Sequence, residues 1–395
     1  MTDTAEFLII GGGLEGLAIA WSLADRGAAD VLVLERATLC SGMTGKSSGV
    51  VRCHYGASSL AAMSWWSVPF FENASEILGD DLGFRQCGYA VGVGADNLDP
   101  LLANVAMQQA LGIEVELLGH DEMATLWPGL RVDDFAGFAY EPRGGRGEAY
   151  LTGMAFGAAA RGRGVRIRQQ SPVLELIVKG DNVIGARLAD GTEVHAANVV
   201  LAAGPWTPDL AATAGVEVDV KAQRAQLLLI DQGEPLPPVP VLSDLVSLQY
   251  LCREPNGELL AGNSDHAVPE YIDPDDFVNR ADDSTVEKVV GRLEHRLPDM
   301  PDPRITGSYV GAYDVTPDYN PIIGPAPAPG LFLATGFSGH GFKISPAVGR
   351  LVADLLLDGR TDLPNVEAAD FRYARFAEGQ PLISPHPYLG AGEMR

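Results

Sequence analysis

Cysteines and long apolar runs are scarce in this sequence. The 395 residues include only four cysteines, Cys40, Cys53, Cys87 and Cys252, which show neither C-x-x-C pairing nor the spacing of metal ligands. We therefore expect buried free thiols, no disulfide framework and no metal site. No apolar run approaches the roughly 20 residues that a membrane-spanning helix needs. Residues 1–6 are polar and acidic rather than typical of a signal peptide, so a cytoplasmic location is expected.

Basic residues are also in the minority. The chain has 28 lysines and arginines against 52 aspartates and glutamates, which gives a formal net charge of -24. Nucleic acid and anionic membrane surfaces would repel such a chain at ordinary salt, whereas small molecules remain as partners. The length exceeds a single typical core and 46% of the residues are apolar, so two joined domains are expected.

The most informative pattern is a glycine-rich loop between a strand and a helix. Residues 7–10 are apolar and predict a buried parallel strand, and residues 17–23 predict an apolar helix. Between them, Gly11, Gly13 and Gly16 have the G-x-G-x-x-G spacing of a dinucleotide-binding loop. The first glycine permits a tight turn, the second lets backbone N–H groups approach a pyrophosphate, and the third lets the helix pack closely on the strand.

The continuation of the chain supports a dinucleotide site. Residues 31–34 predict a second strand, and Glu35 at its end can accept hydrogen bonds from the hydroxyls of a ribose. A phosphate at the 2′ position would be repelled there. The order of strand, loop, helix, strand and acid thus predicts a bound dinucleotide, and a glycine-rich turn in an ordinary α/β protein is the alternative.

A β-meander later in the chain favours FAD over NAD. Residues 173–178, 183–188 and 193–195 predict three strands joined by hairpin turns, and an apolar strand at residues 198–202 follows at once. Such a meander before a returning parallel strand is expected of two-lobed FAD proteins and is unusual in nicotinamide dehydrogenases. The loop over residues 40–49, rich in Ser, Gly and Thr, can lay backbone donors along the cofactor.

Another strand, turn and helix follow at residues 331–335, 336–343 and 345–357, before a polar, proline-containing tail. This third dinucleotide-like unit at the far end of the chain implies that the cofactor domain is built from separate pieces. The intervening residues 84–140 and 216–310, with many predicted strands, are expected to form another layer. We predict an α/β fold in which a discontinuous Rossmann-like FAD-binding domain with a β-meander joins an α+β, mixed-sheet substrate domain. The predicted FAD-binding domain comprises residues 1–80, 145–215 and 311–395, and the predicted substrate-binding domain comprises residues 81–144 and 216–310.

Several short segments together carry a resemblance to a known family. They are the glycine loop with Glu35, S-G-M-T-G-K-S-S-G at residues 41–49, A-A-G-P-W at 202–206, T-P-D with P-I-I-G at 316–324, and G-F-S-G-H-G-F-K at 336–343. The chain resembles the FAD-dependent amine oxidoreductases, which include sarcosine oxidases, glycine oxidase, dimethylglycine dehydrogenase and D-amino acid oxidases. The likeness spans nearly the full length and is greatest to the sarcosine oxidase branch, including its β subunits.

The resemblance implies that two cations hold a substrate carboxylate. In monomeric sarcosine oxidases these are an arginine after the flavin loop and the lysine that ends G-H-G-F-K, and the matching positions here are Arg52 and Lys343. An arginine can bind a carboxylate through two hydrogen bonds. Both charges would also lower the pKa of a bound amine, which favours the neutral form that releases a hydride to flavin N5. The alternative is that both cations pair with surface acids.

The resemblance also assigns further residues to the site. Tyr313 and Tyr250 match aromatic walls of the substrate pocket, although either could be a core residue. His340 matches the point where the family's chain passes the flavin, and a positional role is favoured over acid–base chemistry, whereas His54 is interpreted as a partly buried structural histidine. The predicted cofactor-binding residues are Gly11, Gly13, Leu14, Glu15, Gly16, Glu35, Arg36, Thr44, Gly45, Lys46, Ser47, Ser48, Val173, Ala203, Gly204, Trp206, Gly311, Gly336, Gly339, His340, Gly341, Phe342 and Lys343.

Three positions and one short segment depart from the family pattern. Gly311 stands where monomeric sarcosine oxidases have the cysteine that tethers FAD, so non-covalent FAD is expected. Leu151 stands near the histidine that binds covalent FMN in some β subunits, so a second flavin of that kind is not expected. Leu260 lies where some oxidases have a lysine that assists oxygen reduction, which weakens the oxidase interpretation. Residues 147–152 replace a common family segment and put the usual substrate cleft in question.

These observations predict an FAD-dependent enzyme that oxidises the C–N bond of a small carboxylate-bearing amine. The substrate is expected to be an N-methyl or other secondary amino acid, similar to sarcosine, and the imine product hydrolyses. Oxygen or an electron carrier accepts the electrons. The alternatives are a D-amino acid or glycine oxidase or dehydrogenase, a flavin subunit of a multi-subunit amine dehydrogenase, and an enzyme that tailors a bulkier amine. Assembly with partner subunits and assembly into a homo-oligomer are both compatible with the sequence.

Overall fold

The computed structural model describes residues 2–234, 236–301 and 303–390. Its strands are β1 (Thr2–Ile10), β2 (Val31–Leu34), β3 (Val50–Val51), β4 (Tyr89–Val93), β5 (Glu116–Leu118), β6 (Gly137–Glu141), β7 (Gly145–Arg146), β8 (Arg166–Arg168), β9 (Val173–Lys179), β10 (Asn182–Leu188), β11 (Glu193–Leu201), β12 (Lys221–Asp231), β13 (Val241–Asp244), β14 (Gln249–Arg253), β15 (Leu259–Asn263), β16 (Arg304–Val315), β17 (Ile322–Pro325) and β18 (Leu331–Thr335). Its helices are α1 (Leu14–Asp25), α2 (Ser58–Glu72), α3 (Ala74–Ile77), α4 (Leu98–Ala110), α5 (His120–Leu126), α6 (Ala149–Gly162), α7 (Thr207–Ala212), α8 (Asp283–Arg296) and α9 (Gly341–Asp358).

The first sheet has the strand order β17-β18-β11-β1-β2-β8, and β10 and β9 extend it from β11. Strand β1 lies between β11 and β2 and pairs in parallel with both. Side chains of β1 and β2 alternate between two cores. Ile9 and Val33 pack with residues of α1, α6 and α9, whereas Leu8 and Leu32 pack with residues of the meander and α7. Because both faces are covered, these strands are continuous apolar runs in the sequence.

The meander differs from its prediction in one respect. Residues 193–195 and 198–202 were predicted as two strands, but β11 is a single strand that pairs with β1 from Glu193 to Leu201. Its beginning also pairs antiparallel with β10, where His195 lies opposite Gly185. The third meander strand and the returning parallel strand are therefore the same strand. The residues between the two predicted strands, Ala196 and Ala197, contain no turn signal.

The second sheet has the order β16-β12-β15-β14-β13-β4-β6-β5. It is mixed, because β4 pairs in parallel with β13 while β12 and β16 form a long antiparallel pair. Separate parts of the chain contribute to each sheet, as the sequence predicts. The predicted fold class is confirmed by this architecture, and the residue boundaries of the two predicted domains stay predictions.

The junction before α9 also differs from its prediction. Gly339 has a left-handed φ of 82°, as a glycine-rich turn requires. Helix α9 begins already at Gly341, so the end of the predicted turn is helical. Pro346 lies inside the helix, where its missing N–H leaves the carbonyl of Phe342 without the usual donor. The hydroxyl of Ser345 donates to that carbonyl at 2.9 Å and compensates for the loss.

Two further segments were not anticipated. Helix α2 is buried over most of its surface, so its sequence lacks the amphipathic stripe that marks a helix. The polar tail after α9 packs against the molecule, because Phe371 and Arg375 are fully buried. Among the helices in the described ranges, none combines the length and apolarity that crossing a bilayer would require.

Candidate active site

A cavity of about 710 Å³ lies at the carboxyl ends of β1, β2 and β11. This edge is where nucleotides bind in open α/β sheets. The cavity receives residues from the glycine loop, from the loop after β2, from the turn after β11 and from β16. Its size lies within the usual range of cofactor and ligand sites.

The three motif glycines have separate roles at the cavity. A Cβ atom at Gly11, whose φ is 121°, would lie 2.2 Å from the carbonyl oxygen of Ala202. A Cβ at Gly16 would lie 2.0 Å from the carbonyl oxygen of Gly11. These two glycines therefore permit close packing of β1, β11 and α1. A Cβ at Gly13 would meet only Thr44 Oγ1, at 3.2 Å, so Gly13 exposes backbone to the cavity.

Glu35 is held at the end of β2 by two backbone donors. The N–H of Gly12 donates to its Oε2 and the N–H of Ala37 donates to its Oε1, each at 2.8 Å. The carboxylate lines the cavity with lone pairs left for further donors. Beside it, the guanidinium of Arg36 stacks 3.9 Å from the ring centre of Trp206. The predicted cofactor acid and this cation–aromatic pair thus lie along one cavity.

Most of the predicted cofactor-binding residues line this cavity. The exceptions pack behind it or beside it. A Cβ at Gly336 would lie 2.4 Å from the side chain of Thr316, and a Cβ at Gly45 would lie 3.0 Å from the carbonyl oxygen of Cys40. Lys343 lines a neighbouring cavity. The predicted residues that line it are Gly11, Gly13, Leu14, Glu15, Glu35, Arg36, Thr44, Lys46, Ser47, Ser48, Val173, Ala203, Gly204, Trp206, Gly311, Gly339, Gly341 and Phe342. The predicted ones that do not are Gly16, Gly45, Gly336, His340 and Lys343.

Two carboxyl groups enter the same cavity from different elements. Glu15 lies in the first turn of α1, and its Oε2 is buried without a hydrogen-bond partner among the described residues. Burial, and next the charge of Asp314, raise the pKa of Glu15 well above its usual value. Asp314 on β16 accepts a hydrogen bond from the N–H of Gly336 at 2.8 Å, and burial raises its pKa to about 6. Asp314 was not predicted as a site residue, although it stands between Tyr313 and the T-P-D motif.

A second cavity, of about 50 Å³, adjoins the large one and shares four lining residues with it. The shared residues are Ser48, Tyr250, Tyr313 and Gly339. Arg52 and Lys343 also line the small cavity. The structure thus brings together Arg52, Lys343, Tyr313 and Tyr250 among the predicted catalytic residues.

The two cations are buried rather than displayed at the surface. Arg52 and Lys343 are each only 5% exposed. Side chains that pair with surface acids are exposed to solvent, so this burial argues against such pairing. The guanidinium of Arg52 donates to the carbonyl oxygen of His54 and lies 4.2 Å from the ring centre of Tyr55. The ammonium of Lys343 donates to the carbonyl oxygen of Gly339 at 3.3 Å. Their assignment to a substrate carboxylate stays a prediction.

The histidines near these cations lie behind the cavities. His340 directly precedes α9, and its ring meets the ring of Tyr55 edge-on at 5.1 Å. It lines neither cavity, and its positional role stays a prediction. His54 is fully rather than partly buried, and its Nε2 lies 2.7 Å from the hydroxyl oxygen of Tyr388. Burial, together with the nearby charge of Arg52, lowers the pKa of His54 to about 3, so its ring is neutral.

The positions that depart from the family pattern have ordinary surroundings. Gly311 lines the large cavity opposite Lys46. Cys40 also lines it, but its thiol lies 3.9 Å from the carbonyl oxygen of Gly12, and burial raises its pKa to about 12. Leu260 is buried inside the second sheet and lines neither cavity.

The family model described as "DAO: FAD dependent oxidoreductase" matches residues 6–355. The chain belongs to this family. The match spans both sheets and every segment that lines the two cavities. The protein is therefore an FAD-dependent oxidoreductase, as the resemblance implies.

Relatives of this FAD-dependent oxidoreductase differ in how much of their length it covers. It is 28% identical over 382 residues to a 4-methylaminobutanoate oxidase (formaldehyde-forming) of Paenarthrobacter nicotinovorans, covering 94% of the chain but only 46% of that relative. It is 27% identical over 392 residues to a sarcosine oxidase subunit beta of an Arthrobacter species, covering 96% of the chain and 93% of that relative. The crystal structure of glycine oxidase from Geobacillus kaustophilus superimposes with a TM-score of 0.81 at 25% identity, covering 94% of this chain and 99% of that one.

The residues of the large cavity fit FAD, the cofactor of the family. Gly13 and the start of α1 offer backbone N–H groups where a pyrophosphate needs them, and Glu35 offers a carboxylate for a ribose. At the other end, Tyr313 and Gly339 line both the large and the small cavity. When bound, FAD supplies a hydride acceptor. Absence of a covalent tether stays a prediction.

Proposed function

We propose that this oxidoreductase oxidises the C–N bond of a small, carboxylate-bearing amine, most suitably an N-methyl or other secondary amino acid such as sarcosine. The substrate loses a hydride from the carbon next to nitrogen to the flavin. The resulting imine takes up water and breaks into an amine and a carbonyl compound.

The observation that carries this proposal is the pair of buried cations beside the cofactor cavity. Arg52 and Lys343 both line the small cavity, in a chain whose formal net charge is -24. A carboxylate would be repelled by most of the molecule and attracted at this point. The two cations also favour the neutral form of a bound amine, whose lone pair is needed for hydride release.

The aromatic walls favour a small substrate. Tyr250 is 9% exposed, and a Cβ at Gly262 would lie 2.1 Å from its ring, so the ring is closely packed. The ring of Tyr313 packs against Gly339, where an added Cβ would lie 3.2 Å away. The cavity that these rings border, of about 50 Å³, suits small amino acids better than bulky aromatic amines.

The names of the relatives support an amine substrate. A 4-methylaminobutanoate oxidase, a sarcosine oxidase subunit and a glycine oxidase all act on amino acids, and the first two act on N-methyl compounds. Because a glycine oxidase is among the similar structures, a primary amino acid, either glycine or a D-amino acid, is an alternative substrate. The sarcosine oxidase relative is a subunit matched over 93% of its length, which keeps a multi-subunit assembly as an alternative. The same proposal includes oxygen or an electron carrier as the electron acceptor. It also includes a cytoplasmic location.

Anaerobic titration of the purified holoenzyme tests the substrate class. The panel consists of sarcosine, 4-methylaminobutanoate, L-proline, glycine, D-alanine and N-methylethylamine, with loss of flavin absorbance as the readout. We expect bleaching by N-methyl or cyclic amino acids and none by N-methylethylamine, which lacks the carboxylate. If none of the carboxylate-bearing amines bleaches a flavin that dithionite does reduce, the proposal is wrong.

A second measurement separates a self-sufficient enzyme from a subunit. The mass of the native protein is determined, and turnover is followed with a dye acceptor and no other chain. Turnover by a species built from this chain alone favours the self-sufficient enzyme. Flavin bleaching without turnover favours a subunit that needs partners.

A further inference from the structure

The C-terminal segment, residues 382–390, returns to the part of the molecule that holds Arg52. The side chain of Asn97 and the backbone of Leu389 exchange two hydrogen bonds, at 2.8 and 3.2 Å. Asn104 on α4 donates to the carbonyl oxygen of His386 at 3.0 Å. Both asparagines are buried, at 6% and 1% exposure, so these bonds fix the segment against α4.

Tyr388 of this segment contacts His54, whose backbone carbonyl group accepts a hydrogen bond from Arg52. Its side chain is 3% exposed, its hydroxyl oxygen lies 2.7 Å from Nε2 of His54, and the two rings stack at 5.8 Å. The carbonyl oxygen of His54 in turn accepts a hydrogen bond from Arg52. A continuous set of contacts thus runs from Tyr388 through His54 to Arg52.

The backbone after Arg52 is fixed from two more directions. Gln108 on α4 donates to the carbonyl oxygen of Tyr55 at 3.1 Å, and the ring of Tyr55 lies under the guanidinium. A Cβ at Gly56 would lie 2.0 Å from the hydroxyl of Ser384, so the C-terminal segment approaches this turn as closely as glycine allows. Packing by α4 and by the C-terminal segment thus surrounds the backbone that follows Arg52.

We propose that the C-terminal segment supports the substrate site, with Tyr388 and His54 acting as positioning residues that aim Arg52 at the small cavity. The proposal rests on the carboxylate-binding role of Arg52 in the proposed function. A bidentate contact tolerates little misorientation, so loosening the guanidinium weakens the binding of a carboxylate. His54 is neutral and adds no charge of its own to the site.

The test compares two tyrosines of the chain's end by removing one hydroxyl from each. Tyr388→Phe keeps the stacked ring and loses the bond to His54. Tyr373→Phe is the control for loss of a tyrosine hydroxyl from the tail, because its hydroxyl donates to the carbonyl oxygen of Glu217 at 2.6 Å, away from Arg52. The readouts on the holoenzyme are the Kd of acetate from the flavin absorbance change, KM and kcat for the best substrate, FAD content and melting temperature.

For Tyr388→Phe we expect the Kd of acetate and KM to rise about three- to tenfold, with kcat and FAD content unchanged, as for loss of one buried hydrogen bond. The control should bind acetate like the wild type. In an Arg52→Lys background the planar guanidinium is absent, so Tyr388→Phe should raise the Kd of acetate little further. Acetate binding by Tyr388→Phe that equals the wild type would overturn the proposal, and so would an equal effect in both backgrounds. If Arg52→Lys itself leaves acetate binding unchanged, the carboxylate role of Arg52 fails, and this proposal falls with it.

Discussion

A carboxylate in the small cavity would meet two cations of different geometry. The guanidinium of Arg52 is planar and can bind both oxygens, whereas Lys343 offers a point charge. We expect Arg52→Met and Lys343→Met each to reduce kcat/KM for a carboxylate substrate by an amount equivalent to about 2–4 kcal/mol, with FAD retained. Lys179→Met, at an exposed position on β9, is the control for loss of one positive charge. Unchanged kcat/KM in both site variants would rule out the assignment.

Asp314 makes the stability of the cofactor-free protein depend on pH. Its pKa is about 6 in the folded protein, against about 4 for an unfolded aspartate. A raised carboxyl pKa favours the folded state below pH 4, and this contribution is lost as the pH rises through 6. Because the side chain is partly open to the cavity, we expect a loss of only about 1–2 kcal/mol.

The variant Asp314→Asn tests this dependence. The asparagine side chain stays neutral, and its oxygen can still accept from the N–H of Gly336. Denaturant unfolding of the FAD-free protein is measured between pH 4.5 and 8. The variant should gain stability relative to the wild type as the pH rises, whereas Asp181→Asn in an exposed turn should not. A constant difference between variant and wild type at all pH values would contradict the assignment.

The residues that could be predicted from the sequence are those whose role is local or lies in a motif. Gly13 and Gly16 act within one strand–helix junction, so their spacing alone indicates their use. Gly11 acts there too, and it also permits the close approach of Ala202, which the motif does not reveal. The role of Tyr388 was not predictable, because its partner His54 lies 334 positions away and no pattern joins the two. The same holds for Asp314, whose neighbour Glu15 comes from the other end of the chain.

Among secondary-structure elements, prediction was accurate where a short apolar run was bounded by polar residues. Strand β2 matches its predicted bounds because it is a four-residue apolar run, buried on both faces. Strand β11 was divided in two because its pairing with β1 along the full length is a tertiary property. Helix α2 was missed because burial on nearly all sides removes its periodicity.

The tail after α9 is fixed at Arg375 by a buried ion pair. Arg375 binds Asp318 of the T-P-D motif through bonds of 2.8 and 2.9 Å, and also donates to the carbonyl oxygen of Asn320. Both charged side chains are almost completely buried, at 0% and 2% exposure. Removing the cation alone would leave a buried carboxylate without its counter-ion, which is more costly than losing the pair.

We expect Arg375→Met to lower the free energy of unfolding by about 3–5 kcal/mol. The matched control is Arg372→Met in the same turn, because Arg372 is partly exposed and pairs with Glu378 at the surface. That change should cost at most about 1 kcal/mol. Denaturant unfolding of the holoenzyme measures both variants. Equal losses of unfolding free energy in the two variants would show that the buried Arg375–Asp318 pair contributes no more than a surface pair.

At the scale of the whole molecule, the large cavity is the meeting point of chain segments far apart in sequence. No single segment forms it, so a ligand that occupies it links the two sheets to each other. The segments that line it include residues 10–15, 34–48, 171–174, 202–210, 311–314 and 337–342. Occupancy of the cavity and stability of the fold are therefore coupled.

Removal of FAD should lower the melting temperature of the whole protein, and its return should restore it. A ligand that binds only the folded state at 100 times its Kd adds about 2.7 kcal/mol to the free energy of unfolding. FMN at the same concentration should restore much less, because it lacks the adenosine half that would reach Glu35 and the Arg36–Trp206 pair. Thermal unfolding of the FAD-free protein, alone and with each flavin, measures the effect. Equal restoration by FMN and FAD would mean that the glycine loop and Glu35 do not contribute to cofactor binding.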